Sequence, residues 1–147
     1  MKSIFNSADN LQIISRIESL TPKSQALWGK MRVEQMFKHT NEAILIAFGE
    51  KTLKINFIMR FLGGMMKNKI LNSEFKKNSP TAPEFIFKES YDFEASKKEL
   101  IDNFKRFSKG RDEITISNHP FWGKMTFEDW DKLMWNHIDH HLRQFGA

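Results

Sequence analysis

The sequence predicts an all-α protein, a four-helix bundle with an additional short helix between the second and third bundle helices. Three observations carry that reading. Every long periodic segment has its apolar residues at helical spacing. Glycine, proline and capping residues stand where those segments should begin and end. The single alternating run, ITISNHPF after Glu113, has no second strand to pair with and reads as an extended connection.

The first helix is expected from Ala8 to about Leu20, with Ser7 as its N-cap and Leu11, Ile14, Ile17 and Leu20 along one stripe; Thr21-Pro22 ends it. The second runs from about Arg32 to Phe48, with Val33, Met36, Phe37, Ala43, Ile44, Ala47 and Phe48 apolar, and stops at Gly49. The extra helix spans Ile55 to about Lys67. It is apolar on most sides, and Gly63-Gly64 inside it points either to tight packing or to a break. NSEFKKNSPTAP, from Asn72 to Pro83, carries two prolines among Ser, Thr and Asn and reads as an irregular surface connection. The next helix fits Phe93 to Ser108, with Leu100, Ile101, Phe104 and Phe107 inward and Gly110 as its stop. The last fits Thr126 to Phe145, with Thr126 as N-cap, Asp129 completing a capping box, and Gly146 at its end.

Residues 1–147 are expected to form a single domain, because a chain of this length buries a core without staples. Fourteen phenylalanines and four tryptophans supply that core and argue against disorder. Cysteine is absent, which excludes disulfides and thiolate metal sites and leaves imidazole and carboxylate as the strong metal ligands. The N-terminus MKSIFNSADN lacks the apolar run of a signal peptide, so a cytoplasmic location is expected. The most apolar segment, Ile55 to Met66, is too short to span a bilayer and contains Arg60, so no membrane partner is expected. The net charge of +5 raises the question of nucleic acid. Most lysines, however, sit beside acids, as in FEASKKELIDNF, where they form the solvated face of a helix, and no nucleic-acid partner is expected.

The tetrapeptide WGKM occurs twice, at Trp28 and at Trp122, each time ahead of an acid and an apolar helix that carries histidine. The copies themselves read as structural: tryptophans stapling the helix entry, Gly29 and Gly123 allowing a turn, and Glu34 and Glu128 favoured by the helix dipole. The chemistry lies further along each helix. At about 100° per residue, the apolar stripe of the last helix centres near Met134, Ile138 and Phe145. His141 falls about 20° from it, His137 about 60° and His140 about 120°, so the first two face inward and His140 lies on the flank. His137 and His141 are four apart, a spacing that lets two rings share one ion. On the second helix His39 lies beside Met36, Ala43 and Ile46 and also faces protein. His119, in NHP, reads as a loop residue.

A lone inward histidine is more often a hydrogen-bonded core residue than a ligand. Three of them on two helices, in a chain with five, favour a metal site built from His39, His137 and His141. Three neutral imidazoles leave an ion its full charge and an open position, the arrangement of catalytic rather than structural zinc. Gln35, Glu42 and Asp139 are the candidate supporting groups, although each is better explained as an ordinary exposed polar residue. The basic connection from Lys67 to Phe85, with Lys67, Lys69, Lys76 and Lys77, would favour an anionic co-substrate if it borders the pocket mouth, and is otherwise a solvated loop.

In LTPKSQALWGKMRVEQMFKH, PTAPEF and HPFWGKMTFEDWDKLMWNHIDHHLRQFG, the chain resembles the DinB/YfiT-like superfamily of metal-binding four-helix bundles, and within it a branch of unknown function. The likeness covers nearly the whole chain. The superfamily's pattern, one histidine on the second helix and an HxxxH pair on the last, falls on His39, His137 and His141. The resemblance implies a divalent metal, with zinc or nickel foremost, a homodimer, and an enzyme of the thiol-transferase or isomerase type that takes a small-molecule thiol and an electrophile. The alternative is a non-catalytic dimeric bundle or ligand-binding protein whose metal site is vestigial or empty.

Overall fold

The computed structural model describes residues 2–147. Helices α1 (Ser7–Ser19), α2 (Val33–Ala47), α3 (Phe57–Leu71), α4 (Phe93–Arg106) and α5 (Phe127–Gln144) account for most of them, with one small two-stranded sheet of β1 (Asn118–His119) and β2 (Gly123–Lys124). Helices α1, α2, α4 and α5 pack on one another, and α3 lies outside that group against α5 and β2.

Each start is chemically marked. Asn6, not Ser7, caps α1, its side-chain oxygen accepting from the backbone N–H groups of Ala8 and Asp9. Asp92 caps α4 through Ala95 N–H, and Thr126 caps α5 with Asp129 returning to the Thr126 N–H in the capping box the sequence predicts. The α1 stripe is Asn10, Ile13, Ile14 and Ile17, all buried, while Leu11 is 61% exposed. Of the expected row, Ile14, Ile17 and Leu20 are buried; strict three-residue spacing drifts around a 3.6-residue helix, so Leu11 falls off the stripe and Asn10 and Ile13 complete it. Asn10 is buried because its amide donates to the carbonyls of Ile4 and Phe104, both at 3.0 Å. The second bond answers a carbonyl in the last turn of α4, where helices run out of internal partners.

The core joins Ile13, Ile17, Met36, Phe37, Leu100, Phe104, Phe107, Trp130 and Leu142, each essentially inaccessible. Burial of each large side chain stabilises by about 1.5–3 kcal/mol. The inward set predicted for α4, namely Leu100, Ile101, Phe104 and Phe107, is buried as expected.

Two expectations are corrected. The alternating run does have a partner: Asn118 pairs with Lys124 and His119 with Gly123, so the returning strand is the second WGKM itself. Glycine there takes the left-handed φ of 73° that closes so short a hairpin, as Gly29 takes 79° in the first copy. The extra helix is not short. Helix α3 has 15 residues, like α2, and the diglycine does not break it. Tight packing accounts for Gly63, where a Cβ would lie 2.1 Å from the carbonyl oxygen of Phe121, while Gly64 faces open space. Lys67 and Lys69 consequently belong to α3 rather than to a loop.

Candidate metal centre

His39 sits mid-way along α2, and His137 and His141 lie one turn apart on α5, and the packing of α2 on α5 brings the three rings together. Their ring centroids are separated by 5.0 Å (His39–His137), 4.7 Å (His39–His141) and 4.8 Å (His137–His141). One nitrogen from each lies within 4.8 Å of the others, so the group could hold a metal ion. Two ligands at about 2.0–2.1 Å from a tetrahedral ion stand roughly 3.3 Å apart. The Nε2 atoms of His39 and His137, 3.0 Å apart, are close to that spacing.

Partners on the far side of two rings decide which nitrogen is bare. His39 Nδ1 lies 3.1 Å from the carbonyl oxygen of Phe85, which can only accept, so Nδ1 carries the proton and Nε2 keeps its lone pair. Gln144 does the same for His141. Its amide nitrogen donates to the Trp28 carbonyl at 2.8 Å, which turns its oxygen toward His141 Nδ1, also at 2.8 Å. That oxygen accepts, leaving His141 Nε2 bare. The first WGKM copy thus reaches the site through its backbone. A side chain on Gly29 would collide with this link, its Cβ 2.9 Å from the Gln144 amide nitrogen.

Burial holds the imidazoles neutral. It pushes His141 down to about 3, with His39 adding repulsion, and lowers His137 well below its ordinary value, with repulsion from His141 and His39 adding to the effect. His39 is also lowered by burial, against the pull of the Phe85 carbonyl. Neutral imidazole is the form that binds a metal. His137 keeps some accessible surface because it faces a cavity, although protein packs densely around its ring.

That cavity has a volume of about 520 Å³ and is lined by all three histidines together with Trp28, Phe75 and Phe85. Asn78, Ser79, Pro80 and Thr81 also line it, so the proline-bearing connection borders its mouth. None of Lys67, Lys69, Lys76 and Lys77 lines the cavity itself. Lys77 lies over the Trp28 ring at 4.5 Å, Lys67 pairs with Asp129 at 2.7 Å, and the cations on the cavity wall are Lys30, Arg32 and Lys88.

His140 stays outside the ligand group, but it is not a flank residue. It is buried, its ring 5.7 Å from Trp28 and 5.8 Å from Phe75, and it lines the same cavity. The expected supporting acids serve elsewhere. Glu42 pairs with Lys51, and Asp139 bridges Arg16 at 2.7 Å and Arg143 at 3.0 Å. Gln35 lines the cavity, but its side chain bonds the Arg32 N–H and the Glu89 carbonyl, both at 3.0 Å, rather than a histidine. Gln144, three residues beyond His141 on one face, could have been found by spacing. The Phe85 carbonyl could not, because a main-chain oxygen 46 residues from its partner leaves no mark in the side-chain pattern.

His119 is buried in the hairpin rather than loose in a loop. Its Nδ1 accepts from the N–H groups of Phe121 at 3.0 Å and Trp122 at 3.2 Å. Burial lowers its pKa to about 4. The unfolded chain, with an ordinary value near 6.5, therefore binds the proton first as pH falls. This contribution to stability is full above pH 6.5 and declines between 6.5 and about 4, by about 3 kcal/mol in all. Urea unfolding with chelator present, at neutral pH and at pH 4, should show that fall. In His119→Asn, whose amide oxygen accepts without titrating, the fall should shrink. An equal loss in both proteins would remove His119 as its cause.

Over residues 5–147 the chain matches the family described as "Protein of unknown function (DUF1569)". No curated protein and no solved structure matches it.

Proposed function

The chain belongs to this family of unknown function, and from that premise we propose that it is a divalent-metal-binding protein with a DinB-like four-helix bundle, using its three histidines for a thiol-dependent transfer reaction. The single observation that carries the reading is the convergence of His39, His137 and His141 in a cavity, with the outer nitrogens of His39 and His141 held by the Phe85 carbonyl and Gln144. The donor set suits zinc or nickel, since it is all imidazole with no thiolate. Such an ion, when bound, lowers the pKa of a thiol so that it serves as thiolate at neutral pH.

The chain's own residues supply the rest. Phe75, Phe85 and Trp28 line the cavity with apolar surface that limits water, and Lys30, Arg32 and Lys88 favour a thiol bearing a carboxylate. An electrophile would share this cavity, whose lining includes residues 78–81.

A second reading rests on one contact. The Nε2 atoms of His39 and His137 can share a proton at 3.0 Å, and no buried side-chain nitrogen or oxygen among the described residues lacks a partner. The histidines are then a hydrogen-bonded part of a non-catalytic, ligand-binding bundle. Elemental analysis of protein purified without an affinity tag separates the two. Near-stoichiometric zinc or nickel supports the metal reading. Metal-free protein that takes up neither ion on dialysis against it supports the hydrogen-bonded one.

A further inference from the structure

We propose that α3 docks the protein on an anionic phospholipid surface, lying in the headgroup plane. Helix α3 is amphipathic in the inverted sense. Gly63 is its buried contact with the Phe121 backbone and Lys67 pairs with Asp129, while Phe57, Ile58, Phe61, Leu62 and Met65 face away from the body of the protein at 47–81% exposure. At about 100° per residue those five fall on one side of the helix, opposite Gly63 and Lys67. Met59 and Met66, 42% and 48% exposed, extend the surface. Seven large apolar side chains at 42–81% exposure give a surface at least comparable to the roughly 300–600 Å² of the largest apolar patch on a typical monomer.

Charge identifies what covers it. From residue 51 to residue 73 the chain has five cations, Lys51, Lys54, Arg60, Lys67 and Lys69, and no acid. Without them the 23 basic residues become 18, equal to the 18 acidic ones, so the whole formal excess of the protein lies on the segment that carries the exposed apolar face. Lys51 and Lys67 are partly answered by Glu42 and Asp129, whereas Lys54, Arg60 and Lys69 are exposed and have no acid within ion-pair distance among the described residues. A second copy pairing through α3 would bring the same five cations and no acid from this segment. Phosphate headgroups answer them, while the apolar side chains enter the acyl boundary.

No helix among the described residues is long and apolar enough to cross a membrane. Lying on one requires only a face. The ten residues from Phe57 to Met66, about 15 Å of helix, provide it.

The test is flotation of the full-length protein with vesicles of phosphatidylcholine alone and of phosphatidylcholine mixed equally with phosphatidylglycerol. Binding is expected to the mixed vesicles at low salt, to weaken as salt rises, and to be slight on the neutral ones. Phe61→Ser with Met65→Ser should reduce it by more than about tenfold, and Lys54→Gln with Lys69→Gln by roughly tenfold or more. All four positions are exposed, so circular dichroism and the thermal midpoint should stay unchanged and report an intact fold. Equal binding to neutral and anionic vesicles overturns the proposal. So does absence of binding, whether light scattering then finds a monomer or a dimer that Phe61→Ser dissociates; the dimer would assign the face to a second copy.

Discussion

Replacing His137 by alanine should weaken zinc or nickel binding by more than about a hundredfold, as read by competition with a chromophoric chelator at neutral pH. Loss of a supporting hydrogen bond behind a ligand already costs about 10–100-fold, and His137→Ala would remove one of the three histidines that could hold the ion. Gln144→Ala should fall within that smaller range, because it releases His141 Nδ1 without removing a ligand. His140→Ala should leave affinity nearly unchanged, since His140 is outside the group although its ring is 5.1 Å from His141. The apoprotein should be little destabilised by His137→Ala: the hydrogen bond lost to His39 is worth about 1 kcal/mol, and the site opens to a cavity that water can enter. Wild-type affinity in His137→Ala would remove the three-histidine site.

Trp130→Ala should destabilise the fold by about 3–5 kcal/mol, measured as a shift of the urea midpoint at constant slope. Trp130 is 1% exposed. It joins two parts of the chain that no helix connects. Its indole N–H donates to the Ile116 carbonyl at 3.1 Å, and its ring lies 5.3 Å from His119, so the hairpin is held to α5 through this side chain. Against a total stability of about 5–15 kcal/mol, that loss leaves a marginal protein. Trp130→Phe keeps most of the burial and loses the hydrogen bond, so its cost should be about 1–3 kcal/mol. A loss in Trp130→Ala below about 1 kcal/mol would mean that the hairpin is not anchored here.

The helices were legible because period and punctuation are local. Leu100, Ile101, Phe104 and Phe107 repeat at helical spacing, and Thr126 with Asp129 marks a start within four residues. The inward facing of His39, His137 and His141 was legible for the same reason, since neighbours along one helix define its apolar side. His140 shows the limit of that method. Its angle on α5 is well away from the apolar stripe, yet Trp28 and Phe75, brought from distant segments, cover it. For Asp139 and Glu42 the ordinary surface reading holds, because spacing places a carboxylate near a histidine but does not say that Arg16 or Lys51 will claim it.

The sequence by itself determined the helical architecture, the Thr126–Asp129 capping box and the three imidazoles that look inward. Each follows from side chains within a turn or two of one another, where backbone geometry leaves little choice. Tertiary structure decided the pairing of the second WGKM with Asn118 and His119, the survival of α3 through Gly63-Gly64 against the Phe121 carbonyl, and the roles of Phe85 and Gln144 behind the site histidines. These depend on backbone atoms and on contacts between segments dozens of residues apart. A carbonyl is chemically the same at every residue, so only the packed chain selects which one a histidine meets.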